Sequence, residues 1–586
     1  MKLLRERTGI GVFFMHLFGF LSVAIGLSAS SQVPQEFRFD PPKTFVTDIE
    51  VSESLLEIVQ EQLGETFFDG IRSFDWGRVA QGLSTKFWGT FPTQRDGRHI
   101  EEGSISARLI SEDSLQWVSK NVFVERIREQ VGAWTSVERL SWQVFEFRSH
   151  TSQKRAFMKA HFQLGGPDVG GARAVFNATV TAQVVLGDEG SWQFDRFAFG
   201  EGSWAQNSRV IFRDITDAVG FHFNRSRANE ELRQDIVDTR SSLVDSSLGV
   251  VDWNHDGFWD VLVTEAMNQG VLFLNDGKGG FSREDLPFDD NRLIPSQVLF
   301  VDLDGDGFEE LVGNRVLYRG RQGFIGIYTR RDGEWLFLPN ALQFDNPEDV
   351  RRMDAQPMTV ADVNGDGLLD ILIAGYETDQ SRRPGQFNRV DASDGARSLL
   401  FINQGDLSFM EESAKRGIFG SRYTYVAGVF DFDGDGDVDI FEGNDYGRNR
   451  LWDNDGTGIF QSLESHPFTL NSSNTMGMTI ADWNNDGFWG LYLSNMYSHA
   501  GSRVIDLTDS LGAPMQRRLE HLAGGNQLFE LSAETGEWIE LGSKLSINEA
   551  GWAWASLFLD IDNDGDKELF VTNGNTSHSN PETPDY

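Results

Sequence analysis

The sequence has no cysteine, few positive charges for its length and only ten histidines. The lack of cysteine excludes disulfide bonds, thiol nucleophiles, thiolate metal sites and a lipid-modified N-terminal cysteine. With 51 Lys and Arg against 89 Asp and Glu, the net charge is -38, which argues against nucleic acid or an anionic membrane surface as a partner. The histidines show no HxxxH spacing and the chain has no GxSxG motif, so neither pattern of hydrolytic chemistry is present.

The chain start resembles an export signal. Lys2, Arg5 and Arg7 precede an apolar run at residues 9–27, and the small residues 28–30 follow it. We expect residues 1–30 to be a cleaved signal peptide, which leaves no membrane span and places the protein outside the cell or in the periplasm. The alternative is an uncleaved membrane anchor, because the run is nearly long enough to cross a bilayer.

The most informative stretch is the acidic loop DFDGDGDVD at residues 431–439. Alternate side chains at positions 1, 3 and 5 of a tight loop can point at one centre, and position 6 is a glycine, which accepts backbone angles that a side chain forbids. Position 7 offers its main-chain carbonyl, and position 9 adds a further carboxylate. Calcium binds six to eight such oxygens, and without a cation these carboxylates would repel one another. The loop therefore predicts a Ca2+ site.

Five more loops share this register, and six copies outweigh the alternative of isolated solvated turns. The EF-hand alternative is disfavoured because residues such as Val263, Gly313 and Ile373 stand at position 12, where an EF-hand needs a bidentate Glu. Short apolar runs follow each loop, so each loop is expected to join two strands. The predicted ligands of the six loops are Asp252, Asn254, Asp256, Phe258 and Asp260; Asp302, Asp304, Asp306, Phe308 and Glu310; Asp362, Asn364, Asp366, Leu368 and Asp370; Asp431, Asp433, Asp435, Asp437 and Asp439; Asp482, Asn484 and Asp486; and Asp560, Asp562, Asp564, Asp566 and Glu568.

The six loops differ in their number of acidic ligands. Loops two, four and six have the most carboxylates, and loops one and three carry an asparagine at position 3. The fifth loop has Gly490 at position 9. We predict that this fifth loop binds calcium most weakly or not at all.

A second recurring segment lies between the loops: VLFLNDGKGGF at residues 271–281, LLFINQGDLSF at 399–409 and RLWDNDGTGIF at 450–460. Each predicts a strand, a turn and a further strand, so one repeat contains four short strands. Four-stranded repeats of this length are typical of β-propeller blades. Residues 205–586 are therefore predicted to form a mainly β propeller of six or seven four-stranded blades with calcium loops.

These motifs resemble FG-GAP or VCBS repeats, as in integrin α-chain propellers and bacterial secreted proteins. The segments NTMGMTIADWNNDG and GWAWASLFLDIDNDGDKELFVTNG resemble the cartilage acidic protein type, which often carries a C-terminal ASPIC/UnbV segment. Only NTSHSNPETPDY follows Gly574, so that segment is not expected in this sequence.

Residues 31–204 begin with helical patterns and continue with alternating strand patterns separated by Gly/Asp-rich turns. This order predicts a smaller α+β domain, similar to NTF2-like cones. His150, His161 and Asp195 are candidates for a pocket in the cone, although outward-facing positions on a half-solvated sheet are the commoner case. No catalytic residue is assigned.

The sequence thus favours a secreted calcium-binding module that recognises protein or polysaccharide, and leaves its oligomeric state open. Trp253, Trp259, Trp483 and Trp489 lie in or beside loops, where they could stack on sugars or pack between blades. The alternative is an extracytoplasmic enzyme with its active site in the propeller channel or the N-terminal cone.

Overall fold

The computed structural model describes residue 39 and residues 41–573, apart from 94–95, 103–104, 208–212, 240–245, 267, 287–296, 316–322, 332, 345–350, 352, 379–389, 499–500, 502–504, 506–511, 533 and 562. The predicted signal peptide and the predicted ligand Asp562 lie outside the described residues. Among the described residues, no helix combines the length and the apolar character needed to span a membrane.

The first unit is an α+β domain. Its helices are α1 (Ile49–Leu63), a π-helical turn (Gly64–Phe68), α2 (Asp69–Arg72), α3 (Trp76–Gln81), a short 3-10 turn (Glu112–Ser114) and α4 (Lys120–Val131). Its strands are β1 (Leu83–Thr90), β2 (Arg98–Glu102), β3 (Ile105–Ile110), β4 (Trp117–Ser119), β5 (Arg139–Ser149), β6 (Arg155–Pro167), β7 (Arg173–Leu186) and β8 (Trp192–Asn207). They form one eight-stranded sheet whose main order is β2-β3-β8-β7-β6-β5.

Aromatic rings fill the space between this sheet and its helices. The buried rings are Phe67, Phe68, Phe87, Phe91, Phe123, Trp142, Phe162, Phe176, Phe194, Phe197 and Phe199. Neighbouring rings meet edge to face, as Phe194 and Phe197 do at a centroid separation of 5.0 Å. The interior of the cone is thus largely a packed core.

The described residues after the first unit form a series of mainly antiparallel sheets. The first two contain β9 (Leu248–Val251), β10 (Asp260–Glu265), β11 (Asn268–Asn275) and β12 (Phe281–Glu284), then β13 (Gln297–Val301), β14 (Glu310–Arg315), β15 (Phe324–Arg331) and β16 (Glu334–Leu338). The third contains β17 (Leu342–Gln343), β18 (Met353–Ala361), β19 (Asp370–Thr378), β21 (Leu399–Asn403) and β22 (Phe409–Glu411), and β20 (Ala396–Arg397) joins the fourth sheet. In the third sheet, β17 and β22 are a parallel pair.

The fourth sheet continues with β23 (Ser421–Phe430), β24 (Asp439–Asp445), β26 (Arg450–Asn454) and β27 (Phe460–Ser462), while β25 (Gly447–Arg448) pairs with β28 (Ser472–Ser473). The fifth contains β29 (Thr475–Ala481), β30 (Gly490–Asn495), β31 (Gln527–Leu531) and β32 (Trp538–Glu540), and the sixth contains β33 (Ala553–Leu559) and β34 (Glu568–Asn573). Two helices, α5 (Arg227–Thr239) and α6 (Ala513–Ala523), lie outside the sheets.

Consecutive sheets are neighbours through the strands that lead into the acidic loops. β9 contacts β13, β13 contacts β18, β18 contacts β23, β23 contacts β29, and β29 contacts β33. Each acidic loop connects one of these strands to the next strand of the same sheet, as the sequence predicts. The mainly β fold with a smaller α+β domain before it is confirmed, and closure of the sheets into a ring stays a prediction.

Candidate metal-binding loops

All six loops share two hydrogen bonds between a backbone N–H and an Asp side chain. In each one, a carboxylate oxygen of the position 1 Asp accepts a hydrogen bond from the N–H of the position 6 Gly at 2.7–3.0 Å. The position 5 Asp accepts another from the N–H of position 7 at 2.9–3.1 Å. The backbone is thus curled around the side chains of positions 1 and 5.

Two positions of each loop require a left-handed backbone. The position 6 glycines have φ from +87° to +96°, where a side chain is strained. Position 4 is also left-handed, and in three loops it holds His255, Asn485 or Asn563 at φ from +55° to +59°. Sequence reasoning identified the glycine but missed position 4, whose signal is its restriction to Gly, Asn and His.

The position 9 carboxylates tie the loop to its own sheet. Asp260, Glu310, Asp370 and Asp439 are at most 1% exposed. In these four loops the carboxylate accepts a hydrogen bond from the N–H of position 2 at 2.9–3.1 Å. Burial raises the pKa of Glu310 and of Asp439 to about 7, and the pKa of Asp370 to about 6.

Among the described residues, groups of three converging carboxylates occur in loops two and four. One oxygen from each of Asp302, Asp304 and Glu310 lies within 4.8 Å of the others, and the same is true of Asp431, Asp433 and Asp435. Only hard oxygen donors are present in these groups, which is the donor set that calcium prefers.

The fourth loop also contains an unpaired acidic oxygen. Asp437 Oδ1 is buried and has no hydrogen-bond partner within the described part of the chain. Burial, followed by the charges of Asp435, Asp433 and Asp431, raises the pKa of Asp437 to about 6. A buried acceptor that repels its neighbours is compensated by a cation, so the residues of this loop fit calcium.

Each of the first four loops is also held by the sheet that follows it. The position 2 carbonyl oxygen accepts a side-chain hydrogen bond from the next sheet: Trp253 from Arg330, Leu303 from Asn403 Nδ2 at 3.1 Å, Val363 from Asn454 Nδ2 at 2.9 Å, and Phe432 from Trp538 Nε1 at 3.0 Å. The loops therefore lie at the junctions between sheets, a role that the spacing of the motif does not reveal.

The fifth loop differs, as its sequence predicts. Gly490 leaves position 9 without a carboxylate, and a side chain there would meet Trp483 Cδ1 at 2.5 Å. Glu530, which lies opposite Gly490 on β31, instead accepts hydrogen bonds from Trp483 Nε1 at 2.9 Å and Asn484 Nδ2 at 3.1 Å. Sequence reasoning missed Glu530 because it lies 40 residues beyond the loop.

In the sixth loop, Glu568 accepts a hydrogen bond from the N–H of Ile561 at 2.8 Å, as the other position 9 carboxylates do. This loop contacts the fifth: Asn485 Nδ2 donates to Asp566 Oδ1 at 2.9 Å, and Lys567 Nζ donates to the carbonyl of Asp482 at 3.1 Å. The last two loops are therefore also joined.

The three N-terminal candidates do not meet in a pocket. Asp195 is 8% exposed and is bound by Ser84 at 2.8 Å and by Arg196. His150 contacts Ser152, and His161 Nε2 lies 3.6 Å from a carboxylate oxygen of Glu549, just before the sixth sheet. His161 is thus a contact between the first unit and the series of sheets.

The tryptophans beside the loops divide into two groups. Trp253 packs against Trp335 at a centroid separation of 4.8 Å, and Trp483 is bonded to Glu530, so both are packing residues. Trp259 and Trp489, at position 8 of loops one and five, are 63% and 52% exposed. Only this second pair leaves a ring available to a partner.

Residues 252–313 and 431–492 match the family model of the FG-GAP-like repeat. Each matched stretch begins at position 1 of a loop and spans two consecutive loops. The chain therefore carries FG-GAP-like repeats, which are often extracellular adhesion or binding modules. No curated protein matches the chain.

Solved structures with local likeness include a conserved protein from Planctomyces limnophilus, at 16% identity and a TM-score of 0.19, covering 26% of this chain and 97% of that one. A ketosteroid isomerase-like protein from Erwinia carotovora atroseptica is 12% identical with a TM-score of 0.18, covering 25% of this chain and 95% of that one. Both TM-scores are low, and neither likeness bears on function.

Proposed function

We propose that this protein is a secreted or periplasmic binding module whose repeats form a calcium-stabilised β-propeller of the cartilage acidic protein type. The observation that carries the proposal is the fourth loop, in which three carboxylates converge and Asp437 Oδ1 is buried without a partner. A calcium ion there would be held by Asp431, Asp433 and Asp435, with Asp437 and Asp439 completing the oxygen set.

The ion's role is structural. It would neutralise the loop carboxylates, whose mutual repulsion opposes the curled conformation. Because the position 2 carbonyl of the same loop accepts a hydrogen bond from the next sheet, an ordered loop also keeps that contact in place. An ion bound only by the folded chain adds about 2.7 kcal/mol of stability when free calcium is one hundred times the Kd.

Calcium removal tests this role. We expect EDTA to lower the Tm of the exported protein, and excess Ca2+ to restore it. Mg2+ at the same concentration should restore it poorly, because the smaller ion demands a tighter octahedral shell. An unchanged Tm in EDTA would show that the loops are solvated turns.

A double variant and a control distinguish the effect of calcium binding on Tm from the effect of removing a negative charge. Asp433→Asn combined with Asp435→Asn should lower the number of bound calcium ions, measured by elemental analysis after dialysis, and reduce the EDTA-sensitive part of the Tm. Asp188→Asn removes an exposed charge from a turn of the first unit and should change neither quantity. Equal calcium content in the double variant and the native chain would contradict the assignment of this loop.

For the partner, we propose a polysaccharide or protein that contacts the loop face. Trp259 and Trp489 support this proposal, because exposed rings beside ordered loops offer flat surfaces for stacking. Trp259→Ala and Trp489→Ala should each weaken retention on an immobilised polysaccharide panel without lowering the Tm. Retention that both variants leave unchanged would remove these residues from the binding surface.

A further inference from the structure

A cavity of about 150 Å³ lies in the α+β domain, between the ends of β3 and β8, helix α4 and the segment that follows β1. It is lined by Pro92, Thr93, Ser106, Arg108, Ile110, Gln130, Trp204 and Gln206. None of the sequence-predicted site residues lines this cavity, and it does not involve the calcium loops.

The strand register explains why these side chains meet. Ser106, Arg108 and Ile110 alternate along β3 and therefore share one face of the sheet. On β8, Trp204 lies opposite Arg108, and Gln206 lies opposite Ser106. Ile110 is 5% exposed within the aromatic core, so this face changes from apolar to polar at the cavity.

Two polar groups that line the cavity have no hydrogen-bond or ion-pair partner among the described residues. The Arg108 guanidinium makes no ion pair or hydrogen bond with any residue that the structure describes. Gln130, on α4, is only 9% exposed, and its side-chain amide likewise makes no hydrogen bond with the described residues. Both side chains line the cavity, so their N–H donors are available to an occupant that supplies acceptor oxygens.

The lining specifies the chemistry of that occupant. An arginine presents a planar fork of donors that matches the two oxygens of a carboxylate. The Gln130 amide can donate to one more oxygen. Trp204, which packs against Phe176 at 5.5 Å, and Ile110 offer apolar surface to the rest of a ligand. A cavity of this size accommodates one benzene-sized ring.

We propose that this cavity binds a small organic carboxylate with a flat, apolar body about one ring in size. The carboxylate pairs with the Arg108 guanidinium and the Gln130 amide, and the body lies against Trp204 and Ile110. This makes the α+β domain a small-molecule binding unit that works independently of the loop face of the propeller.

Benzoate is the probe for the full-length protein, with its Kd measured by ligand-observed NMR titration. Benzamide has the same shape without the charge, and inorganic phosphate has charge without the ring. We expect benzoate to bind about tenfold or more tightly than either, because only benzoate uses both parts of the site.

The variant Arg108→Gln should weaken benzoate binding about tenfold or more, and Gln130→Leu should weaken it less. Arg139→Gln is the matched control, since Arg139 is an exposed arginine at the start of β5, away from the cavity. Thermal unfolding of each variant checks that the domain stays folded.

Three results would overturn the proposal: no saturable benzoate binding at millimolar concentrations, equal affinity for benzamide and benzoate, or an Arg108→Gln variant that binds as the native chain does. Should Arg108→Gln fail to fold, Gln130→Leu and the benzamide comparison still decide the matter. The first result would make the cavity a water-filled space, and either of the other two would show that Arg108 does not recognise a carboxylate there.

Discussion

The variant Asn454→Ala tests whether the loops join neighbouring sheets. Asn454 is 5% exposed and lies at the end of β26 in the fourth sheet. Its Nδ2 donates to two carbonyls, both at 2.9 Å. Val438 lies in the acidic loop of the same sheet, and Val363 lies in the acidic loop of the preceding sheet. Its Oδ1 accepts from the N–H of Gly458 at 2.9 Å. Alanine removes all three bonds at once.

The expected loss of stability follows from the backbone groups that the substitution leaves without a hydrogen-bond partner. Two carbonyls and one N–H lose their side-chain partner in a place that water reaches poorly. A buried polar group without a partner costs about 1–3 kcal/mol, and a carbonyl with a remaining lone-pair contact costs less. We therefore expect Asn454→Ala to lower the free energy of unfolding by about 3 kcal/mol.

Asn275 supplies the matched control because it has the same place in the first sheet. Its side chain accepts from the N–H of Gly277 at 3.0 Å and donates to the carbonyl of Trp259 at 3.1 Å, both in its own sheet. It is also partly exposed, so water can replace these bonds. Asn275→Ala should cost about 1 kcal/mol, and the difference between the variants measures the bond between sheets.

Guanidinium chloride unfolding in saturating calcium, followed by near-ultraviolet circular dichroism, gives the two free energies. Amide hydrogen exchange provides a local measurement: in Asn454→Ala, exchange should quicken at Val363, whose N–H donates to Asp370 in the third loop. The reasoning fails if both variants lose the same stability, or if faster exchange is confined to the fourth sheet.

Two further predictions concern pH and the ranking of the loops. Burial lowers the pKa of His466 to about 4, so stability should fall as the pH drops from about 6.5, where the unfolded chain takes up a proton, towards 4. The full effect is about 3 kcal/mol, which partial exposure of the ring reduces to roughly 1–2 kcal/mol. His466→Gln should flatten this dependence in acid unfolding curves, whereas His521→Gln, at an exposed position, should not. At limiting calcium, Asp431→Asn should lower the bound calcium measured by equilibrium dialysis, whereas Asp482→Asn should not; an equal loss in both would refute the ranking.

Local features of the fold follow from short-range chemistry and were predictable. The glycine at position 6 and the alternating acidic residues specify a curled loop, and the apolar runs that follow give β10, β14, β19, β24, β30 and β34. The hydrogen bonds that curl the loop join residues no more than five apart. The nine-residue loop and the apolar run that follows it contain all of this information.

Features that depend on distant contacts were not predictable. Asn454 contacts a carbonyl 91 residues away, and Glu530 reaches the fifth loop only because β30 and β31 pair. His161 was a candidate pocket residue, yet its place depends on how the first unit meets Glu549. The cavity at Arg108 was missed because its lining comes from two strands, a helix and a loop, none of which carries a motif.

The proposed calcium ions would affect more than the turns themselves, because of where the loops lie. Position 9 fixes each complete loop to its own sheet, and the position 2 carbonyl fixes it to the next. When each repeat contacts mainly its neighbours, the free energy of unfolding is approximately the sum of the stabilities of the single repeats and of the interfaces between adjacent repeats. On the proposal that the loops bind calcium, an ion that orders one loop would therefore stabilise a unit and a junction together.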